Sequence, residues 1–198
     1  MLQLQLPFRP RGGKRKRAGR KPNGARAGMP HRARPDHKKR HPVHVTLRAV
    51  RRLPSLRRQI IFAAMRGTIA NTKLAWVRVV HFSVQPDHVH LLVEADDKVC
   101  LSRGMAGLMV RMARWVNRAL GRRGRVWSDR FHARALRTPR ETRHGLVYVL
   151  MNWRKHVPEA KGIDPCSSGL WFEGWRIPPS SGPPETRTPW SMPTTSAN

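Results

Sequence analysis

Two apolar segments joined by Pro86-Asp87 constrain the fold more than any other feature of the sequence. Residues 73–85 and 88–94 are both rich in valine and leucine, and each has the length of a strand. Proline fixes the backbone φ angle at the first corner of a turn, and aspartate can hydrogen-bond back to the backbone. The two segments are therefore predicted to form a long β-hairpin at the centre of a sheet.

Side chains alternate along a strand, so His88 and His90 are predicted to lie on one face, about 6.5 Å apart along the chain. Val89 and Leu91 then lie on the other face. Two adjacent imidazoles are half of a metal site, but they are also ordinary strand residues. The pair alone leaves both interpretations open, and a metal site needs a further ligand from elsewhere in the chain.

Residues 138–156 are the predicted source of that ligand. The pattern Thr-Pro-x-Glu at residues 138–141 is a capping box with proline at the first helical position, and Pro158 ends the helix. Tyr148 and Asn152 are four residues apart, so a hydroxyl and an amide oxygen share one helix face. Taken alone, the single tyrosine of the chain is better explained as a packing residue with a solvated hydroxyl. Combined with the histidine pair, it is predicted to be a nucleophile.

Three patterns together carry a resemblance to a known family. They are P-D-H-V-H-L-L-V-E at residues 86–94, R-V-W-x-x-R-F-H at residues 125–132 and Y-x-x-x-N at residues 148–152. They resemble the single-tyrosine HUH transposases, and within that group the REP-associated tyrosine transposases. The departures from the family pattern, Gln85 before the proline and Trp153 after the asparagine, remove neither a ligand nor the nucleophile.

The resemblance implies a metal-dependent transposase or endonuclease that cleaves and rejoins single-stranded DNA at hairpin sequences. It implies that His88, His90 and Asn152 hold Mg²⁺ or Mn²⁺. It also implies that Tyr148 attacks the DNA, which gives a 5′-phosphotyrosine and frees a 3′-hydroxyl. The expected partner is single-stranded or hairpin DNA, and the sequence leaves a monomer and a homodimer equally open.

The order of the remaining elements predicts an α+β fold. Residues 43–48 alternate as a first strand, a helix follows Ser55, an amphipathic helix spans residues 102–120 and a last strand spans residues 126–136. This order is that of the ferredoxin-like βαββαβ antiparallel sheet, with helices on one face. The C-terminal tyrosine helix is an addition, and the resemblance implies that it docks so that its tyrosine meets the two histidines.

The charge of the chain indicates a polyanionic partner. Lysine and arginine number 40 against 11 acidic residues, a formal net charge of +29. Nucleic acid is favoured over a membrane surface because residues 1–8 are too short for a span or a signal peptide. Cys100 and Cys166 lack C-x-x-C spacing, which is typical of reduced thiols in a cytosol. We therefore expect a cytoplasmic bacterial protein associated with the nucleoid through DNA.

Three regions are predicted: a disordered basic arm at residues 1–41, the transposase domain at residues 42–157, and a Pro/Ser-rich, partly disordered tail at residues 158–198. Arginines and lysines in the arm, in the loop at residues 121–125 and in the last strand are predicted to contact DNA. These residues are Lys16, Arg17, Arg20, Lys21, Arg122, Arg123, Arg125 and Arg130.

Two other functions remain possible at this point. A basic ferredoxin-like sheet is also the frame of non-catalytic DNA- or RNA-binding modules, which need neither a metal nor a nucleophile. Such a domesticated protein would behave identically in chelator and after Tyr148→Phe. A metal hydrolase built on the histidine pair is a weaker alternative, because the chain lacks the cluster of carboxylates that such an enzyme needs.

Overall fold

The computed structural model describes residues 35–72, 74–155 and 162–175. Its elements are, in chain order, β1 (Val43–Arg48), α1 (Gln59–Ala70), β2 (Val77–Val84), β3 (His88–Ala95), α2 (Lys98–Ala119), β4 (His132–Ala135) and α3 (Pro139–Met151). Two short 3₁₀ helices follow, Asn152–Lys155 and Ser168–Trp171.

The strands form one four-stranded sheet in the order β2-β3-β1-β4. Every neighbouring pair is antiparallel, and α1 and α2 make the crossovers that separate strands adjacent in sequence. This is the predicted ferredoxin-like arrangement, and the α+β fold class is confirmed. The predicted hairpin is β2 and β3, with Gln85 donating its backbone N–H to His88 O at the turn.

The two faces of the sheet pack against different helices. Val89, Leu91 and Val93 of β3 belong to the main core, together with buried side chains of α1 and α2. Leu92, on the opposite face by strand alternation, packs instead in a separate cluster with Val149 of α3. Helix α3 therefore covers the face that carries His88 and His90, and α1 and α2 cover the other.

Local sequence signals set the position of α3. The Thr138 side chain accepts from the backbone N–H of Glu141, and the Glu141 carboxylate accepts from that of Thr138, which is the predicted capping box. A Cβ on Gly145 would lie 2.7 Å from Leu136 Cδ1, so glycine permits the close approach of α3 to that side chain. The helix ends at Met151, earlier than predicted, and tightens into the 3₁₀ helix that begins at Asn152.

Helix α1 begins later than predicted, and α2 begins earlier. Ser55 does not cap α1, because its side chain accepts from Arg57 N while Leu56 N bonds to Pro86 O in the hairpin turn. The Asp97 carboxylate accepts from Cys100 N at 2.7 Å and starts α2 at Lys98.

Strands β2 and β4 are shorter than predicted. Before β2, Leu74 bridges to Val77 within a turn that leaves Trp76 exposed. Before β4, only Trp127 bridges to Ala49, and the loop at residues 128–131 interrupts the pairing. Leu74 and Trp127 are therefore anchored to the core outside the regular strands.

Residues 162–175 return to the sheet and cover the edge of β2. Cys166 O accepts from Val84 N at 2.8 Å, and Ser168 Oγ accepts from Phe82 N at 2.9 Å. The buried Asp164 carboxylate accepts two hydrogen bonds from Arg57, at 2.7 and 2.9 Å. A covered edge cannot pair with a second sheet, and the ion pair fixes this segment to the start of α1.

Asp164→Asn is expected to lower the free energy of unfolding by about 3 kcal/mol, because it leaves the partly buried Arg57 guanidinium without its counter-charge. Urea denaturation followed by circular dichroism measures the loss. Lys39→Ala is the matched control, since it removes an exposed ion pair with Asp96 and should leave the free energy of unfolding almost unchanged. Equal effects of the two substitutions would show that the Asp164 pair does not secure the segment.

Candidate active site

The structure brings His88 and His90 together on the face covered by α3. Their ring centroids are 4.6 Å apart and their planes stand at 81°. His90 is almost fully buried, while His88 lies at the start of β3 beside the hairpin turn. The two imidazoles are thus adjacent and differ in access to solvent.

Helix α3 places Tyr148 against this pair. The Tyr148 ring centroid lies 5.1 Å from that of His90, with the rings edge to face at 76°. Val149 and Leu150, the next two residues, are buried and anchor this turn of the helix. Tyr148 itself keeps 36% of its surface exposed, so it can be reached from solvent.

Asn152 lies one helical turn beyond Tyr148 and is buried, with 2% of its surface exposed. Its amide Nδ2 has no hydrogen-bond partner within the described part of the chain. The nitrogen and oxygen of an amide exchange places by a half-turn of the side chain. One end of a buried amide is therefore left for a further group.

A carboxylate orients His88. Asp87 Oδ1 lies 2.6 Å from His88 Nδ1, and Arg48 donates to the other carboxylate oxygen at 3.3 Å. The hydrogen bond to His88 is the main reason why the pKa of Asp87 is lowered from its ordinary value. Sequence analysis assigned Asp87 to the turn alone, although an acidic residue directly before the histidine pair was a usable signal.

His44 is a third histidine of this cluster. Its Nε2 lies 3.1 Å from His90 Nδ1, and its ring centroid lies 5.5 Å from that of Tyr148. Burial, followed by the nearby charges of His132 and Arg134, lowers the pKa of His44 to about 4. His44 is therefore neutral at physiological pH.

The donor set fits a divalent ion held by two imidazoles and one amide oxygen. Each histidine has its Nδ1 engaged, by Asp87 at His88 and by His44 or Thr46 at His90, so each ring is oriented to offer Nε2. No group of three or more His, Cys, Asp or Glu in the described ranges is arranged to hold a metal. Two histidines and one asparagine are a different kind of donor set.

The predicted DNA-contacting arginines that the structure describes belong to the loop at residues 121–131. Trp127 donates to Met109 O at 2.9 Å and anchors the loop at residues 121–131 on α2, the helix that covers the other face of the sheet. Within the loop, Arg125 bonds to backbone carbonyls, Arg123 is exposed and Arg122 bonds to Arg125 O at 3.2 Å.

Arg130 lines a cleft of about 610 Å³ between this loop and α2. Lys16, Arg17, Arg20 and Lys21 lie outside the described residues.

Three further basic side chains lie on the sheet face that α3 covers. In the β1–β4 pairing, Arg134 stands opposite His44 and His132 stands opposite Thr46. Arg48 ends β1 on the same side, beside Asp87. Alternation in the last strand was a signal for His132 and Arg134, but the neighbours of β4 depend on the register and are not readable from local sequence.

Comparisons with known proteins agree with this fold. A family profile described as "Transposase IS200 like" matches residues 37–142, more than half of the chain, and ends before Tyr148. Among solved structures, the chain is similar to a REP-associated tyrosine transposase bound to a REP hairpin, with a TM-score of 0.52 and 20% sequence identity. That similarity covers 65% of this chain and 75% of the other. No curated protein matches the sequence.

Proposed function

The chain belongs to the IS200-like transposase family, and from that premise we propose that it cleaves and rejoins single-stranded DNA through Tyr148. The 5.1 Å separation between the ring centroids of Tyr148 and His90 carries this proposal. A partly exposed hydroxyl beside two oriented imidazoles has the arrangement of a nucleophile next to an electrophilic site.

The reaction conserves phosphodiester bonds. The Tyr148 oxygen forms a bond to phosphorus, and the bond between phosphorus and the 3′ oxygen breaks. The tyrosine proton leaves to solvent or a nearby base, and the departing 3′ oxygen takes up a proton. The product is a 5′-phosphotyrosine, which the 3′-hydroxyl of another DNA end can attack in reverse. Strand transfer then needs no ATP.

We propose that His88, His90 and Asn152 hold Mg²⁺ or Mn²⁺. When bound, the ion supplies a Lewis acid for the scissile phosphate. Asp87 fixes the ring of His88 by its hydrogen bond to Nδ1. Burial of His90 and Asn152 restricts water on that side, while the exposed edge of Tyr148 faces the incoming strand.

The proposed substrate is single-stranded or hairpin DNA. The solved structure similar in fold holds a REP hairpin. Arg48, His132 and Arg134 beside the site can contact phosphates of the scissile strand. A strand inside a duplex does not bend easily onto one face of a helix. Flanking DNA would contact the previously predicted residues, which are Arg122, Arg123, Arg125, Arg130, Lys16, Arg17, Arg20 and Lys21.

We further propose that the chain has the three regions predicted from its sequence. They are a basic DNA-binding arm at residues 1–41, the transposase domain at residues 42–157 and a C-terminal tail at residues 158–198. A protein of this activity would work in the bacterial cytoplasm, on the nucleoid. Within the described residues, no helix has the length and hydrophobicity needed to cross a membrane.

We propose that each active site is built from one chain. Tyr148 contacts His44 and His90 of its own chain, and residues 162–175 follow α3 and bond to β2. A mixture of Tyr148→Phe and His88→Ala proteins is therefore expected to stay inactive. DNA cleavage by the mixture, at about a quarter or more of the wild-type rate, would show instead that the two residues act across a subunit interface.

A non-catalytic, domesticated DNA- or RNA-binding protein is the second candidate function. The observation that favours it is the end of the family match at residue 142, before both Tyr148 and Asn152. A protein of this kind would bind hairpins without forming an adduct, and its binding would be unchanged by chelator.

The test of the proposed function is incubation of the full chain with single-stranded oligonucleotides that carry imperfect palindromes, in Mg²⁺ or Mn²⁺. A denaturing gel is expected to show a slowly migrating DNA band that is sensitive to protease and lost with chelator. Tight binding across a broad pool of hairpins with no such band would favour the second candidate.

A further inference from the structure

His44 contacts two residues of the candidate active site, His90 and Tyr148. On β1 it lies two residues before Thr46. In the β1–β3 register His44 stands opposite Leu92, and Thr46 stands opposite His90. Strand alternation therefore places its side chain on the face that carries His90 and α3. The 3.1 Å contact with His90 Nδ1 and the edge-to-face contact with Tyr148 both follow from this position.

Either ring could donate in the contact between His44 and His90, and the proposed binding of an ion by His90 Nε2 would set the direction. A neutral imidazole has one N–H and one lone pair, so a ring that offers Nε2 to a ligand carries its proton on Nδ1. That proton needs an acceptor within the protein. His44 Nε2 lies at 3.1 Å from His90 Nδ1, and Thr46 Oγ1 lies at 3.3 Å.

The two histidines of the pair are thus held by different groups. A carboxylate accepts at His88, where Asp87 Oδ1 lies 2.6 Å from Nδ1. At the buried His90, an imidazole nitrogen of His44 and the hydroxyl of Thr46 lie within hydrogen-bond distance of Nδ1. A neutral acceptor suits this buried position, because a second carboxylate there would carry a large desolvation cost.

We propose that His44 is a positioning residue that accepts the Nδ1 proton of His90 and thereby holds its Nε2 toward the catalytic ion. This inference rests on the proposed function. His44 acts through His90, and its edge contact with Tyr148 keeps the nucleophile beside the same ring. Loss of His44 leaves Nδ1 with the longer contact to Thr46 Oγ1, at 3.3 Å, so the ring of His90 is held less firmly and ion binding weakens.

The test is the binding of Mn²⁺ alone to the full chain with hairpin DNA present, measured by electron paramagnetic resonance. His44→Phe keeps the ring and removes the acceptor, and it is expected to weaken Mn²⁺ binding by about 10- to 100-fold. His44→Gln restores an acceptor oxygen and should recover most of that loss. His81→Phe is the control, because His81 lies on the same face but contacts Ser168 Oγ at 3.1 Å instead.

The outcomes separate this inference from the proposed function. Wild-type protein that binds no Mn²⁺ and forms no adduct would overturn both. Wild-type binding with an equal affinity in His44→Phe would overturn the positioning role alone. Equal losses in His44→Phe and His44→Gln would also overturn it, since an acceptor oxygen at this position would then have failed to restore ion binding. Hairpin affinity measured without metal should be unchanged in every variant.

Discussion

Tyr148→Phe is expected to abolish the covalent protein–DNA adduct, with a fall in cleavage rate on the order of 10⁴-fold or more. The substitution removes only the hydroxyl oxygen that bonds to phosphorus. Phenylalanine keeps the ring contacts with His44 and His90, so α3 should remain docked on the sheet. Hairpin affinity should therefore stay within about twofold of wild type. The loss of cleavage would then come from the chemical step and not from weaker DNA binding.

A denaturing gel for the adduct and a filter-binding titration for affinity measure these two quantities on the same protein. His144→Phe serves as a control, because His144 lies one turn before Tyr148 on α3 and is exposed. It should retain the adduct. Adduct formation by Tyr148→Phe would remove the tyrosine from the mechanism, because the chain has no other tyrosine.

His88→Ala and His90→Ala are each expected to reduce cleavage by about 100- to 1000-fold, because each removes one of the proposed ligands of the ion that stabilises the transition-state charge. The measurement is single-turnover cleavage as a function of Mn²⁺ concentration. DNA binding should be largely intact, since neither imidazole is needed for phosphate contacts at a distance from the site.

The two variants should differ in stability. His90 is buried between Thr46 and His44, so its truncation leaves a cavity, whereas His88 lies at the exposed turn. We expect a loss of about 2 kcal/mol or more for His90→Ala and less for His88→Ala. Cleavage at the wild-type rate in either variant would contradict the proposed ion site. The control is His81→Gln, which should leave cleavage unchanged.

The fold was predictable where the signals are local. Alternation fixes β1, the Pro86-Asp87 turn fixes the hairpin, and the capping box at Thr138 fixes the start of α3. The predicted strands were too long where apolar residues are buried outside regular strands, as Trp127 is. An apolar pattern reports burial, but it does not report whether the backbone is paired.

The candidate site was predictable only in part. The histidine spacing and the tyrosine helix could be read from sequence because each depends on one element. The contacts of His44 with His90 and Tyr148 depend on three elements and on the β1–β3 register, which local sequence does not specify. The same holds for Arg57 and Asp164, whose ion pair joins positions 107 residues apart.

The central claim is that Tyr148 becomes joined to the 5′ end of the cleaved strand, and mass spectrometry of the adduct tests it most directly. Trypsin should release residues 144–154 as one peptide, since arginines precede and end it. After nuclease digestion, this peptide from wild-type protein is expected to carry a nucleotide on Tyr148. A nucleotide on any other residue, or no adduct on hairpins that the protein binds tightly, would contradict the account.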